Sequence, residues 1–100
     1  MDIYKSASEN AWQSGNGIVV ENTPTPLIDA AYALPVYKYV EIKSTTGNSA
    51  SIYIGPIGTP VGSGYEIVSG EKVQVPIDSA AKVAIWSEDN SEDTFSWIGV

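Results

Sequence analysis

Gly64-Tyr65-Glu66-Ile67-Val68-Ser69-Gly70-Glu71-Lys72-Val73-Gln74-Val75-Pro76-Ile77-Asp78-Ser79-Ala80-Ala81-Lys82-Val83-Ala84-Ile85 is the stretch that decides the fold class. Val73, Val75 and Ile77 recur with a period of two, Val83 and Ile85 do so again, and a polar turn, residues 78–82, joins the two runs. A period of two is a strand signature, and two such runs this close are expected to be neighbouring antiparallel strands. Pro76 removes a ladder donor from the first run, which places that run at a sheet edge or at an end of pairing. Tyr65, Ile67 and Val68 lead in, and Ser69-Gly70-Glu71 turns the chain towards Val73.

Upstream, Ser51-Ile52-Tyr53-Ile54 alternates with Ile52 and Ile54 inward, and Gly55-Pro56 ends the run. Val36, Lys38, Val40 and Ile42 share one face of residues 36–43, with Tyr37, Tyr39, Glu41 and Lys43 on the other. Ser44-Thr45-Thr46-Gly47-Asn48 is turn chemistry, so residues 36–43 and 51–54 are expected to form a hairpin. The Gly/Pro-rich residues 57–64 then read as a loop crossing from one sheet to another. Further back, Ile18-Val19-Val20 begins a short strand that Pro24 and Pro26 hold at a sheet edge. Leu27, Ala30, Ala31 and Leu34 allow about two helical turns before Pro35 stops them. Residues 1–17 keep neither period and end in Ser-Gly-Asn-Gly; they read as an extended N-terminal arm, either loosely laid or docked on a neighbouring subunit through Tyr4 and Trp12.

Downstream of Ile85 and Trp86 the tract 87–93 is acidic and apolar-free, and residues 94–100 close on another strand. Runs near 18–22, 36–43, 50–54, 64–68, 72–77, 82–87 and 94–99 amount to about seven short strands, the spacing of an antiparallel β-sandwich, Ig-like or jelly-roll-like. The expected organisation is an arm over residues 1–17 and one β-sandwich domain over residues 18–100.

The composition narrows the chemistry. One hundred residues bound the chain to one domain with one modest core. The absence of cysteine leaves no disulfide framework or thiolate metal site, so stability must come from packing or from assembly. The absence of histidine removes the usual general base and the commonest metal ligand. Twelve acids against five lysines give a net charge of −7, the wrong sign for a phosphate backbone, so nucleic acid is not an expected partner. No apolar run approaches the length of a membrane span, and residues 1–17 lack the layout of a signal peptide; the expectation is a soluble protein made in a cytoplasm.

Glu88, Asp89, Glu92 and Asp93 are four carboxylates in six residues, but their spacing matches no calcium loop, and a solvated hairpin is the plainer reading, with docking on a basic partner as another. Asp29, Glu66, Glu71 and Asp78 are the acids from which a carboxylate hydrolase would have to be built, and each lies in turn or strand-flanking sequence. No Ser-His-Asp set, nucleophile elbow or phosphate loop is present, so neither an enzyme nor a cofactor or metal protein is expected. Tyr37, Tyr39 and Tyr53 would share an outward face if the hairpin forms, and three uses follow: burial under a second sheet, a subunit contact, or a sugar-stacking platform. Trp86 and Trp97 carry the same alternatives.

Ser51-Ile52-Tyr53-Ile54-Gly55, a Gly/Pro-rich loop, Gly64-Tyr65-Glu66-Ile67, Ser69-Gly70-Glu71, Val73-Gln74-Val75-Pro76-Ile77-Asp78 and Lys82-Val83-Ala84-Ile85 follow one another in an order that resembles a small β-sandwich module of tailed-phage virion structural proteins. The resemblance covers about residues 36–87. The aromatic usual before the last strand's core is Ala84 here, with Trp86 following, and residues 1–17 have no counterpart. It implies a virion structural protein: a head decoration, or cement, protein on the outer capsid surface, or alternatively a head-fibre or tail module. The partner implied is the major capsid protein or another virion protein. A homo-oligomer is also implied, a trimer at three-fold positions being favoured, with capsid stabilisation coming from apolar area buried at roughly 25 cal/mol per Å². Tyr4, Trp12, Tyr37, Tyr39, Tyr53 and Trp86 are the expected contact residues, and the rivals from other classes are a carbohydrate-binding module using the tyrosines and a carboxylate enzyme.

Overall fold

A computed structural model describes residues 12–89 and 92–100. Among them are eight strands: β1 (Gln13–Ile18), β2 (Thr25–Pro26), β3 (Val40–Ser44), β4 (Ile52–Pro56), β5 (Tyr65–Ile67), β6 (Lys72–Val75), β7 (Val83–Ser87) and β8 (Thr94–Gly99). They form two four-stranded antiparallel sheets, in the orders β1-β8-β3-β6 and β2-β7-β4-β5. The chain is therefore the β-sandwich that the alternating runs predict.

The core lies between the sheets and is drawn from the inward positions of those runs. Val40, Ile42, Ile52 and Ile67 are fully buried, and Ile54, Val83, Ile85, Phe95 and Trp97 complete the layer. The edges fall where proline places them: β6 stops before Pro76 at one edge, and the two-residue β2, preceded by Pro24, forms another.

The pairing differs from the sequence expectation because the chain changes sheet at every connection except β4 to β5. The expected hairpin of residues 36–43 with 51–54 does not form: β3 pairs with β8 and β6, whereas β4 pairs with β7 and β5. Residues 45–51 are tied instead to the start of β8. Asn48 Nδ2 donates to the Thr94 carbonyl at 2.8 Å, and the Ser49 and Ala50 amides each donate to the Asp93 carboxylate at 2.8 Å. Those bonds carry the chain across the sandwich.

The two runs of the deciding stretch are likewise strands but not neighbours. Between β6 and β7 lies a 3₁₀ turn, Ala80–Lys82, capped by the Ser79 hydroxyl, which accepts from the Ala81 amide, and pinned by the buried Ala80. It moves the chain from one sheet to the other. Residues 57–64, expected to cross between sheets, instead close the β4–β5 hairpin within one sheet. Residues 27–34 form no helix; the Asp29 carboxylate accepts from the Ala31 amide, and the Asp29 carbonyl accepts from the Tyr32 amide, making a single turn.

The largest departure is at the N-terminal side. The expected strand over residues 18–22 is displaced to β1, so the last residues of the stretch read as an arm, Gln13 to Gly17, pair with β8 throughout. Gly15 and Gly17 stand opposite Trp97 and Phe95, and those rings cover the space above the glycines. An aromatic lying over a facing glycine restores the apolar surface that glycine lacks, so a Gly-rich segment can hold a strand. Residues 19–22 then run to the other sheet, where the Ser87 amide donates to the Val20 carbonyl at 3.1 Å and the Asn22 amide to the Ser87 carbonyl at 2.7 Å.

Candidate functional site

Strand β6 is the outer strand of one sheet and β5 of the other, and between these two edges the sandwich opens into a groove of about 530 Å³. One wall is Val73, Gln74, Val75, Pro76 and Ile77; the other is Tyr65 with Ile54, Gly55 and Pro56, and Val83 also contributes. The wall residues follow from local sequence. The alternation of β6 turns Val73 and Val75 towards the core, where both remain partly buried, and Pro76 ends pairing so that no further strand closes the flank. Tyr65 pairs with Ile54 and so lies on the core side of β5, yet it is 61% exposed because nothing beyond the edge covers it.

No Asp, Glu, Lys, His or Cys lines this groove. Its one ionisable group is the Tyr65 phenol. Such a lining can take up apolar side chains or an extended apolar segment, and its few polar atoms give it orientation more than chemistry. Pro76 is the sequence signal of this edge; the opening itself comes from the meeting of two sheet edges.

A second apolar cluster lies on the outer face of the β2-β7-β4-β5 sheet. Trp86 points away from the main core yet is fully buried. The loop of residues 57–64 lies over it, with Gly64 so close that its missing Cβ leaves the room for indole Cζ2 and Cη2. Tyr53 stacks beside it at 6.3 Å between ring centroids and 23° between planes. Glu88 Oε2 binds both parts, accepting from Trp86 Nε1 at 3.0 Å and from the Gly62 amide at 2.7 Å. Burial, then the charges of Glu66 and Glu88, push the Tyr53 phenol above its ordinary value.

The expected contact residues are thus dispersed. Tyr4 lies outside the described residues. Trp12 is 67% exposed immediately before β1, and Tyr37 is equally exposed before β3. Tyr39 is half-buried beside the C-terminal residue, whose amide donates to the Tyr39 carbonyl at 2.9 Å. Tyr53 belongs to the opposite sheet, so Tyr37, Tyr39 and Tyr53 do not form the expected row. Trp86 is beneath its loop and presents no surface to a partner, and Trp97 is in the main core. The expected hairpin would have aligned the tyrosines; the crossing of residues 45–51 separates them.

The acids have local structural roles. Asp93 is buried rather than part of a solvated hairpin, with Oδ1 accepting from the Ser49 amide and hydroxyl and Oδ2 from the Ala50 amide. Glu88 clamps Trp86, Asp29 closes its turn, Glu66 accepts from the Ser51 hydroxyl at 2.6 Å, and Glu71 accepts from the Val68 amide at 3.2 Å. Asp78 pairs with Lys82 at 2.8 Å, which holds its carboxyl below the ordinary value through a hydrogen bond and then through charge. Among the described residues no three acidic, histidine or cysteine side chains are grouped as a metal site would require.

In comparisons with known proteins, no family model matches the chain and no curated protein matches it.

Proposed function

We propose that this chain is a structural subunit of a tailed-phage particle, a decoration protein that seats on the outer surface of the head shell and stabilises it. The observation that carries the reading is the β5/β6 groove: apolar, open along one flank, and free of charged groups, it suits burial against another protein. The ordered resemblance of residues 36–87 to phage virion modules supplies the class of partner, the major capsid protein. In this reading the chain is a binding subunit that performs no reaction, and its acids serve its own fold. A head-fibre or tail module would use the same groove on a different partner. The sugar-platform reading has no tyrosine row to support it, because Tyr37 and Tyr39 precede β3 and Tyr53 lies on β4 of the other sheet.

Co-sedimentation with undecorated capsids, together with mass spectrometry of purified particles, tests the proposal. The chain is expected in the particles, and Tyr65→Ala, an exposed position, is expected to weaken capsid binding about tenfold, the loss of one well-packed aromatic contact. Absence of the chain from the particles would overturn the virion reading. Undiminished binding by Tyr65→Ala together with Val75→Asp would overturn the groove as the contact.

A further inference from the structure

We propose that the outer edge of β1 pairs antiparallel with β1 of a second copy of the chain, about a two-fold axis at Gly15. This surface is separate from the groove, and the inference does not rest on the virion reading.

The first observation is a contrast among the four sheet edges. Strand β2 has two residues and contains Pro26; β5 has three and carries Glu66; β6 begins with Lys72 and is followed by Pro76. Shortness, charge and proline are the devices by which edge strands avoid pairing with other chains. Strand β1, Gln-Ser-Gly-Asn-Gly-Ile, has six residues and none of these devices. Among the described residues no strand pairs with its outer backbone groups, and the loop of residues 32–34 reaches β1 only through the Gln13 side chain, which bonds the Tyr32 carbonyl and the Leu34 amide.

The second observation is the symmetry of its apolar residues. Ser14, Asn16 and Ile18 face solvent while Gln13, Gly15 and Gly17 are half-buried, and Trp12 continues the outward parity. Trp12 is 67% exposed and Ile18 62% exposed, each three residues from Gly15. In an antiparallel pair, opposed residues lie on the same face. With Gly15 opposite Gly15, Trp12 of each copy lies opposite Ile18 of the other, and Ser14 lies opposite Asn16. Both exposed apolar residues are thereby covered, twice, by one operation. Centring on Asn16 would instead oppose Trp12 and Val20, but the Val20 carbonyl is already engaged by the Ser87 amide. The Gly15 register uses residues 12–18 alone and stops short of Val19 and Val20, whose backbone groups are already engaged by Asp93 and Ser87.

The product is one eight-stranded sheet running through both copies, an isologous arrangement and not the trimer that the resemblance implies. Seven paired residues extend only ~23 Å, and an edge contact of that length buries less than the ~1,200–2,000 Å² of a standard stable interface. The pairing is therefore concentration-dependent and strongest where subunits are already held side by side.

The chain contains no cysteine, so engineered thiols report the register without background. Ser14→Cys and Asn16→Cys are both exposed positions and are opposed in the proposed pair, within disulfide reach. Under mild oxidation an equimolar mixture of the two single variants is expected to give covalent dimer at least tenfold faster than either variant alone. Equal rates in the mixture and in each variant alone would overturn the proposal. Adding Trp12→Lys to both variants is expected to slow cross-linking at least tenfold; an unchanged rate would overturn it. Light scattering of the unmodified chain provides a second measure if a cysteine variant fails to fold. A mass rising from one towards two subunits with concentration is expected, and a constant monomer or a trimer would overturn the two-fold pair.

Discussion

Gly15 stands directly across from Trp97, so close that a Cβ on Gly15 would lie 2.7 Å from indole Nε1. Replacing glycine with alanine in a strand ordinarily helps, since alanine has less backbone freedom to lose. Here the added methyl meets a rigid ring packed in the core, and overpacking of this kind costs about 1–3 kcal/mol. Gly15→Ala is therefore expected to destabilise the fold in urea denaturation. At Gly17 the Cβ would lie 3.1 Å from Phe95 Cζ, and the loss from Gly17→Ala is expected to be smaller. Equal or reversed effects would contradict the packing described for β1.

Glu88 is expected to hold the loop of residues 57–64 over Trp86. Glu88→Ala leaves the indole N–H and the Gly62 amide without their acceptor, a loss of about 1–3 kcal/mol. The indole is then expected to become accessible to water, read as a red shift and easier acrylamide quenching of tryptophan fluorescence. Trp12→Phe in the background removes the exposed indole from the signal. Unchanged quenching in Glu88→Ala would show that the loop stays down without the clamp.

Asp93 joins β8 to the crossing of residues 45–51 through both carboxylate oxygens. Asp93→Asn keeps the shape but turns an amide NH₂ towards a backbone N–H. A buried donor left facing a donor costs about 1–3 kcal/mol, so the midpoint of denaturation is expected to fall with no change in m value. Ser49→Ala removes only the hydroxyl bond to Oδ1 and is expected to cost less.

The Asp78–Lys82 pair gives a pH signature whose direction follows from the lowered Asp78 value. A carboxyl depressed in the folded state adds stability above its unfolded value, and that contribution is lost as pH falls through the depressed folded value. The stability difference between the unmodified chain and Asp78→Asn is thus expected to be level above the ordinary value of 3.8 and to shrink below it. The pair is exposed, so the difference is expected to be small and to fade in high salt. A difference that grows on acidification would contradict the pairing.

The strands were legible in the sequence wherever β-branched residues alternate: Val40 and Ile42, Ile52 and Ile54, and Val83 and Ile85 all face the core as their spacing requires. Strand β1 was not, because its inward positions are glycines and the apolar surface over them belongs to Phe95 and Trp97, some eighty residues away. Strand pairing was not legible for a related reason. Nearness in sequence favours hairpins, whereas Asp93 and Asn48 send β3 and β4 to different sheets, and Ala80 does the same for β6 and β7. The groove followed the same pattern: Pro76 announces an edge, but only the three-dimensional arrangement places a second edge, with Tyr65, beside it.

The interleaving of the two sheets also governs when the molecule can fold. Strand β8 lies between β1 and β3, so a growing chain that still lacks it has both flanking strands and no common neighbour to join them. Among the described strand pairings only β4 with β5 closes a short loop, and proteins built on distant pairings fold slowly because loop-closure entropy is spent before contacts return it. The β4–β5 hairpin can form as soon as Ile67 has emerged from the ribosome, whereas the β1-β8-β3-β6 sheet is completed only once Thr94–Gly99 has emerged. Until that moment β3 lacks its neighbour on one side and the core lacks Phe95 and Trp97, which makes the interval before β8 arrives one in which chaperone protection matters.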